Sequence, residues 1–178
     1  EQTCENCHKG LHSLQKDMYL GTAAEGLPDL PSRMFSAQVS CDGCHTRPVN
    51  LGVPSFEEAS LEPERQSCVT CHGKGYDLMM DDWVRAMGQL VQEFGPEVER
   101  AESELRRRPA QRAAAQEARR LVQTARRNND FLRAGRGAHN VEYAVKLTRA
   151  AAGMLDQARA AMQPGYQAPA RSRLLGTP

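Results

Sequence analysis

The chain has 178 residues, of which 40% are hydrophobic and only 5% aromatic, with a mean hydropathy of -0.62 and a net charge of +1. Such polar character leaves little apolar material for a self-sufficient core over the whole length, and no apolar run is long enough to span a bilayer. The net charge hides a polarity: residues 1–80 carry six Lys/Arg and eleven Asp/Glu, a balance of -5, and residues 81–178 carry seventeen and eleven, a balance of +6.

In chain order, the sequence opens at Glu1 without an initiator Met or an apolar leader, which reads as a mature form from which a signal peptide has been removed. Up to residue 76 the chain is punctuated by glycine and proline, among them Gly21, Gly26, Pro28, Pro31, Pro48, Pro54, Pro63 and Gly73. Few regular elements survive that density. Short helical turns are expected there, one of them through Leu11, Leu14, Met18 and Tyr19 at helical spacing. No stretch alternates apolar and polar residues well enough to predict a sheet.

From residue 77 the pattern turns helical. Trp83, Met87, Leu90, Val91 and Phe94 form an amphipathic stripe behind Asp81 and Asp82, and Gly95-Pro96 is expected to stop it. Pro96 then suits the first turn of a following helix through Val98, Ala101 and Leu105, which Pro109 kinks or restarts. Residues 113–132 are rich in Ala and Arg, with Gly135-Arg136-Gly137 as the stop. A last helix runs from about His139 through Val141, Leu147, Ala151 and Leu155 to Met162. These patterns predict a mainly α protein with extensive loops. Three parts are expected: a cofactor-packed region over 1–76, an antiparallel helical hairpin over 77–166, and an extended, poorly ordered tail over 167–178.

Three Cys-x-x-Cys-His pentads carry the chemistry: Cys4-Cys7-His8, Cys41-Cys44-His45 and Cys68-Cys71-His72. They use all six cysteines and three of the five histidines. This spacing lets two thiols add across the two vinyl groups of one porphyrin while the adjacent histidine binds the iron from below. The pentads therefore predict three covalently bound haem c groups, with His8, His45 and His72 as proximal ligands. Structural zinc is the alternative, but zinc sites group thiolates in fours or in Cys/His sets, and three identical pentads do not divide that way. Porphyrins would also supply the missing apolar core. Attachment to this motif takes place outside the bacterial cytoplasm, so a periplasmic or cell-surface location is expected.

Counting iron ligands sharpens the prediction. Only His12 and His139 remain, so two haems at most are bis-histidine. His12 lies four residues after His8 on the same side of a short helix, which assigns it to a haem other than its own. His139 precedes the last helix, beside Asn140, a residue suited to capping the helix or orienting the imidazole. For the third iron, Met34 is the preferred donor, with Met18, another donor from this chain or a partner, or a vacant position as the alternatives.

Ten arginines between residues 106 and 136 invite a nucleic-acid reading, but no aromatic residue interleaves with them before Phe131, so no nucleic-acid partner is expected. The same face lacks the large apolar side chains that membrane insertion requires. The arginines are left with haem propionates, a protein partner or solvent.

Taken together, the pentads, the run Pro31, Met34, Phe35, Val39, Cys41, the Cys-His-Gly-x-x-Tyr run ending at Tyr76, and the His139-Asn140-x-x-Tyr143-Ala144 segment give a chain that resembles multihaem cytochromes c of the cytochrome c3-like and NrfH/octahaem group. The resemblance implies an electron carrier or reductase subunit with closely stacked haems, and a distal ligand from the late helix, here His139. The sequence departs from a fully bis-histidine set. The leading expectation is a triheme protein passing electrons between redox partners, with self-association or a membrane complex formed through the hairpin as a further role. The alternatives are an enzyme or sensor with one open haem that binds a small molecule, or a haem subunit of a larger respiratory complex.

Overall fold

A computed structural model describes residues 12–49, 60–107 and 112–175; the first pentad, Cys4, Cys7 and His8, and the expected break at Pro109 lie outside the described residues. The described elements are α1 (Ser13–Leu20), α2 (Arg33–Ser36), β1 (His45–Val49), β2 (Ser60–Pro63), α3 (Arg65–His72), α4 (Asp77–Arg107), α5 (Arg112–Ala134) and α6 (Val141–Met162), with 3-10 turns at Cys41–Gly43 and Gly137–His139. The chain is mainly helical with long loops, as the sequence predicts. It forms two compact units, Glu1–Ser32 with Ala86–Pro178, and Arg33–Arg85.

The first unit is built on the α5–α6 hairpin. Small residues spaced at helical intervals, including Ala118 and Ala125 on α5 and Ala144, Ala151 and Ala158 on α6, let the two helices approach closely. Leu90, Phe94 and Val98 of α4 join the same core with none of their surface exposed. Burying each such side chain contributes about 1.5–3 kcal/mol. Met18 of α1 enters this core fully buried, in contact with the α5–α6 connection.

The expected stop at Gly95-Pro96 is corrected: α4 runs through it for 31 residues. Proline removes one i to i-4 hydrogen bond, and its ring normally pushes the preceding residue out of helical geometry through that residue's Cβ. Gly95 has no Cβ, and Gln92, whose carbonyl loses its donor, is exposed and can be hydrated. The buried stripe of Phe94, Val98 and Ala101 outweighs the remaining cost.

After Met162 the described part of the tail lies against the helices. Arg171 is only 9% exposed and bridges Glu97 of α4 and Asp156 of α6 at 2.9 and 2.6 Å. Arg149 donates to the carbonyls of Leu174 and Arg173, and Leu175 is buried.

The second unit contains the one sheet among the described residues. β1 and β2 pair antiparallel, with His45 opposite Pro63 and Val49 opposite Ser60 and an irregularity between His45 and Arg47. No sheet is expected from sequence here. The strands are short, and Pro48 and Pro63 blur any alternation.

Candidate functional site

The pairing of β1 with β2 brings the second and third pentads together. Cys41 opens the 3-10 turn Cys41–Gly43, Cys44 caps it, and His45 is the first residue of β1; Cys68 and Cys71 lie on α3, which ends at His72. Helical turns are thus confirmed for the third pentad, whereas the second passes from a turn into a strand. Pairing of His45 with Pro63 and a hydrogen bond from Glu64 N to Cys44 O at 3.0 Å place the two motifs side by side. The Ser67 hydroxyl donates to the same carbonyl at 3.4 Å. Burial raises the Cys44 thiol above its ordinary pKa, and the nearby Cys68, Cys71 and Cys41 thiols add to that effect. A thiol so disposed is poorly suited to act as a thiolate nucleophile.

The residues before the second pentad support it from below. Val39 N donates to Met34 O at 2.9 Å, and a Cβ on Gly43 would stand 2.8 Å from Val39 Cγ1, so a side chain inside this pentad would displace Val39. Ser40 donates to Asp42 in the same turn. Met34, half-buried on α2, belongs to this unit, whereas Met18 is packed in the core of the other.

Two histidines are oriented alike. His45 Nδ1 is 2.9 Å from Leu61 O, and His139 Nδ1 is 2.9 Å from Arg136 O and 3.1 Å from Gly135 O. A carbonyl only accepts, so Nδ1 carries the proton and the lone pair suited to a metal is on Nε2. His72 is instead stacked on Tyr76, with ring centroids 4.8 Å apart and planes 16° from parallel. His12 is exposed at the N-cap of α1, and its carbonyl accepts from Lys16 N at 3.0 Å.

The turn bearing His139 is packed tightly against α1. A Cβ on Gly135 would meet Leu14 O at 2.9 Å and Met18 Cβ at 3.1 Å, and one on Gly137 would meet Met87 Sδ at 2.8 Å. Both spare histidines, His12 and His139, therefore belong to the first unit and border one helix-turn contact, a proximity that sequence spacing does not reveal.

Among the described residues, Arg33–Arg85 contains no buried side chain, while Phe35, Leu61, Tyr76, Leu78 and Val84 are 40–62% exposed. A large flat apolar group fits such a unit, because it would cover these side chains while the paired thiols and His45 and His72 supply the attachments. Among the described residues, no three His, Cys, Asp or Glu are grouped so as to hold a metal ion directly.

No family model matches the chain, and no curated protein matches it in sequence. A solved structure, the outer cell wall cytochrome OcwA, is similar in fold, with a TM-score of 0.58 at 22% identity over 85% of this chain. The chain spans about a third of that protein, 34% of its length. The class defined by this likeness is a mainly helical fold shared with part of a cytochrome. No helix among the described residues is long and apolar enough to cross a membrane.

Proposed function

We propose that the chain is a triheme c-type cytochrome that transfers electrons between redox proteins outside the cytoplasm. The observation that carries this reading is the unit Arg33–Arg85, in which two pentads stand side by side and no described side chain is buried. The likeness to an outer cell wall cytochrome supports both the chemistry and a cell-surface or extracellular setting.

In this reading Cys4 and Cys7, Cys41 and Cys44, and Cys68 and Cys71 form the thioethers, and His8, His45 and His72 are the proximal ligands. His139 and His12 are distal ligands, and Met34 serves the third iron. Functionally the chain divides into a haem-binding region over 1–76, a hairpin over 77–166 that supplies His139, and a tail over 167–178. Haem iron, when bound, supplies reversible one-electron chemistry. The protein tunes that chemistry: the carbonyl bonds on His45 and His139 fix the tautomer and orientation of each imidazole, and a methionine at one iron raises its potential relative to histidine.

The decisive experiment is intact mass and pyridine haemochrome analysis of protein matured with haem. Three haems per chain are expected, and potentiometric titration should resolve one haem at higher potential from two lower ones. Colourless protein that retains zinc overturns the reading.

The shortage of donors favours one second reading, an enzyme or sensor with an open iron, since only His12 and His139 remain beyond the pentads for three irons. Rapid stoichiometric binding of carbon monoxide to the ferrous protein would select it. Slow or substoichiometric binding selects the carrier.

A further inference from the structure

The arginine-rich stretch is not used by the proposed electron transfer, and the structure gives it a geometry. Residues 106–136 hold ten arginines and only two acids, Glu117 and Asp130, with no lysine. Part of this charge is neutralised within the fold. Arg120 pairs with Glu117 at 2.6 Å, Arg126 with Glu102 and Asp130 at 3.3 and 3.2 Å, and Arg127 with Glu25. Arg106, Arg107, Arg119, Arg133 and Arg136 are exposed and have no acidic partner among the described residues.

Arg119 and Arg133 share one face of α5, with Arg126, already paired with Glu102 and Asp130, midway between them at seven-residue spacing that the backbone of Arg112 continues. Seven residues bring a helix back to within about 20° of the same face, about 10.5 Å further on. Beside Arg119, the end of α4 and the middle of α5 enclose an open groove of about 410 Å³. Arg106, Arg119 and Gln123 provide donors there, Leu105 and Val122 the apolar lining, and Glu102 is offset by Arg126.

We propose that this stripe and groove form a binding surface for a linear polymer bearing phosphate groups. A flexible polyanion can follow a straight row of charges, whereas a protein partner would be expected to use buried aromatic or aliphatic anchors, and the exposed residues of the stripe supply none. Arginine suits phosphate because its planar fork donates in bidentate fashion and stays charged at every accessible pH. The lack of interleaved aromatic residues limits recognition to charge, without base stacking.

The test uses the full-length holoprotein and long-chain inorganic polyphosphate, with orthophosphate and poly-L-glutamate as comparison ligands. Expected results are saturable binding to polyphosphate that weakens steeply with salt, little binding of orthophosphate, and weaker binding of poly-L-glutamate. The double variant Arg119→Glu with Arg133→Glu should lose at least ~10-fold in affinity with unchanged far-ultraviolet circular dichroism. Arg33→Glu with Arg85→Glu, which makes the same change in net charge elsewhere, should change affinity by less than ~2-fold. Equal losses in both double variants, or no binding at about 0.15 M salt, would overturn the proposal. Binding of poly-L-glutamate as tight as that of polyphosphate would overturn the choice of phosphate.

Discussion

The carbonyl of Arg136, a residue held at a left-handed φ of 49°, accepts the Nδ1 proton of His139 at 2.9 Å. A non-glycine residue in that region costs about 1–2 kcal/mol and persists only where its surroundings enforce it. Here the enforcement comes from Gly135 and Gly137, which have no room for a Cβ, and from Asn140, which caps α6. Arg136→Gly should therefore leave the His139 geometry intact and stabilise the protein by up to ~1 kcal/mol. Arg136→Val, with its branched Cβ, should disturb the turn. If His139 is a distal ligand, His139→Ala converts one haem to high spin, and Arg136→Val shifts the same spectral signature or potential while Arg136→Gly does not. An unchanged spectrum in His139→Ala removes His139 from the ligand set.

Asn140 makes two contacts that no sequence spacing predicts. Its side-chain oxygen accepts from Tyr143 N at 3.1 Å, and its amide donates to Leu30 O at 2.7 Å, which ties the loop after α1 to the start of α6. Asn140→Ala loses a helix cap and leaves a part-buried carbonyl unpaired. The expected cost is about 2 kcal/mol in urea unfolding. Asn140→Asp should recover the cap but not the Leu30 bond, falling between the two. A loss below ~0.5 kcal/mol in Asn140→Ala would mean that water replaces both contacts.

The unit Arg33–Arg85 buries no described side chain, so its stability should depend on the cofactor. Protein expressed without haem attachment should be cut first within 33–85 by a broad-specificity protease. The α5–α6 hairpin, whose core includes Val122, Leu147 and Leu155, should survive. Haem-loaded protein should resist cleavage at the same sites. Equal resistance with and without haem would show that porphyrin is not the missing core.

The hairpin was legible in the sequence because α5 and α6 bury regular stripes at helical intervals and end at strong signals, Gly135 and the residues after Met162. The pentads were legible because their Cys-x-x-Cys-His spacing lies within five consecutive residues. What could not be read were relationships set by packing between distant residues. The antiparallel pairing of β1 with β2 places Cys44 beside Glu64 through a hydrogen bond across 20 positions, and neither strand has the alternation that would announce it. Pro96 inside α4 marks a stop on local grounds alone; Phe94 and Val98, buried against the hairpin, decide otherwise. The tail has a composition typical of disorder, yet Arg171 finds two carboxylates on two different helices.

That last arrangement yields a prediction with a defined pH dependence. Arg171 donates to Asp156 at 2.6 and 2.9 Å and to Glu97 at 2.9 Å, and Tyr166 donates to Asp156 at 2.8 Å. Burial would raise the Asp156 carboxyl, but the hydrogen bonds from Arg171 and Tyr166 and the fields of Arg171 and Arg159 reverse this and hold it below its ordinary value. A carboxyl depressed in the folded state stabilises the fold fully above its unfolded pKa, about 3.9, and this contribution is lost as pH falls through the lower folded value. Arg171→Ala leaves two largely buried carboxylates without their cation and should cost about 2–3 kcal/mol at neutral pH. As pH falls through the depressed Asp156 value, that carboxyl becomes protonated and the gap between variant and parent should narrow. Urea midpoints measured from pH 7 to pH 2.5 would check this, and a gap that widens on acidification would show that the tail is held by contacts other than this charge cluster.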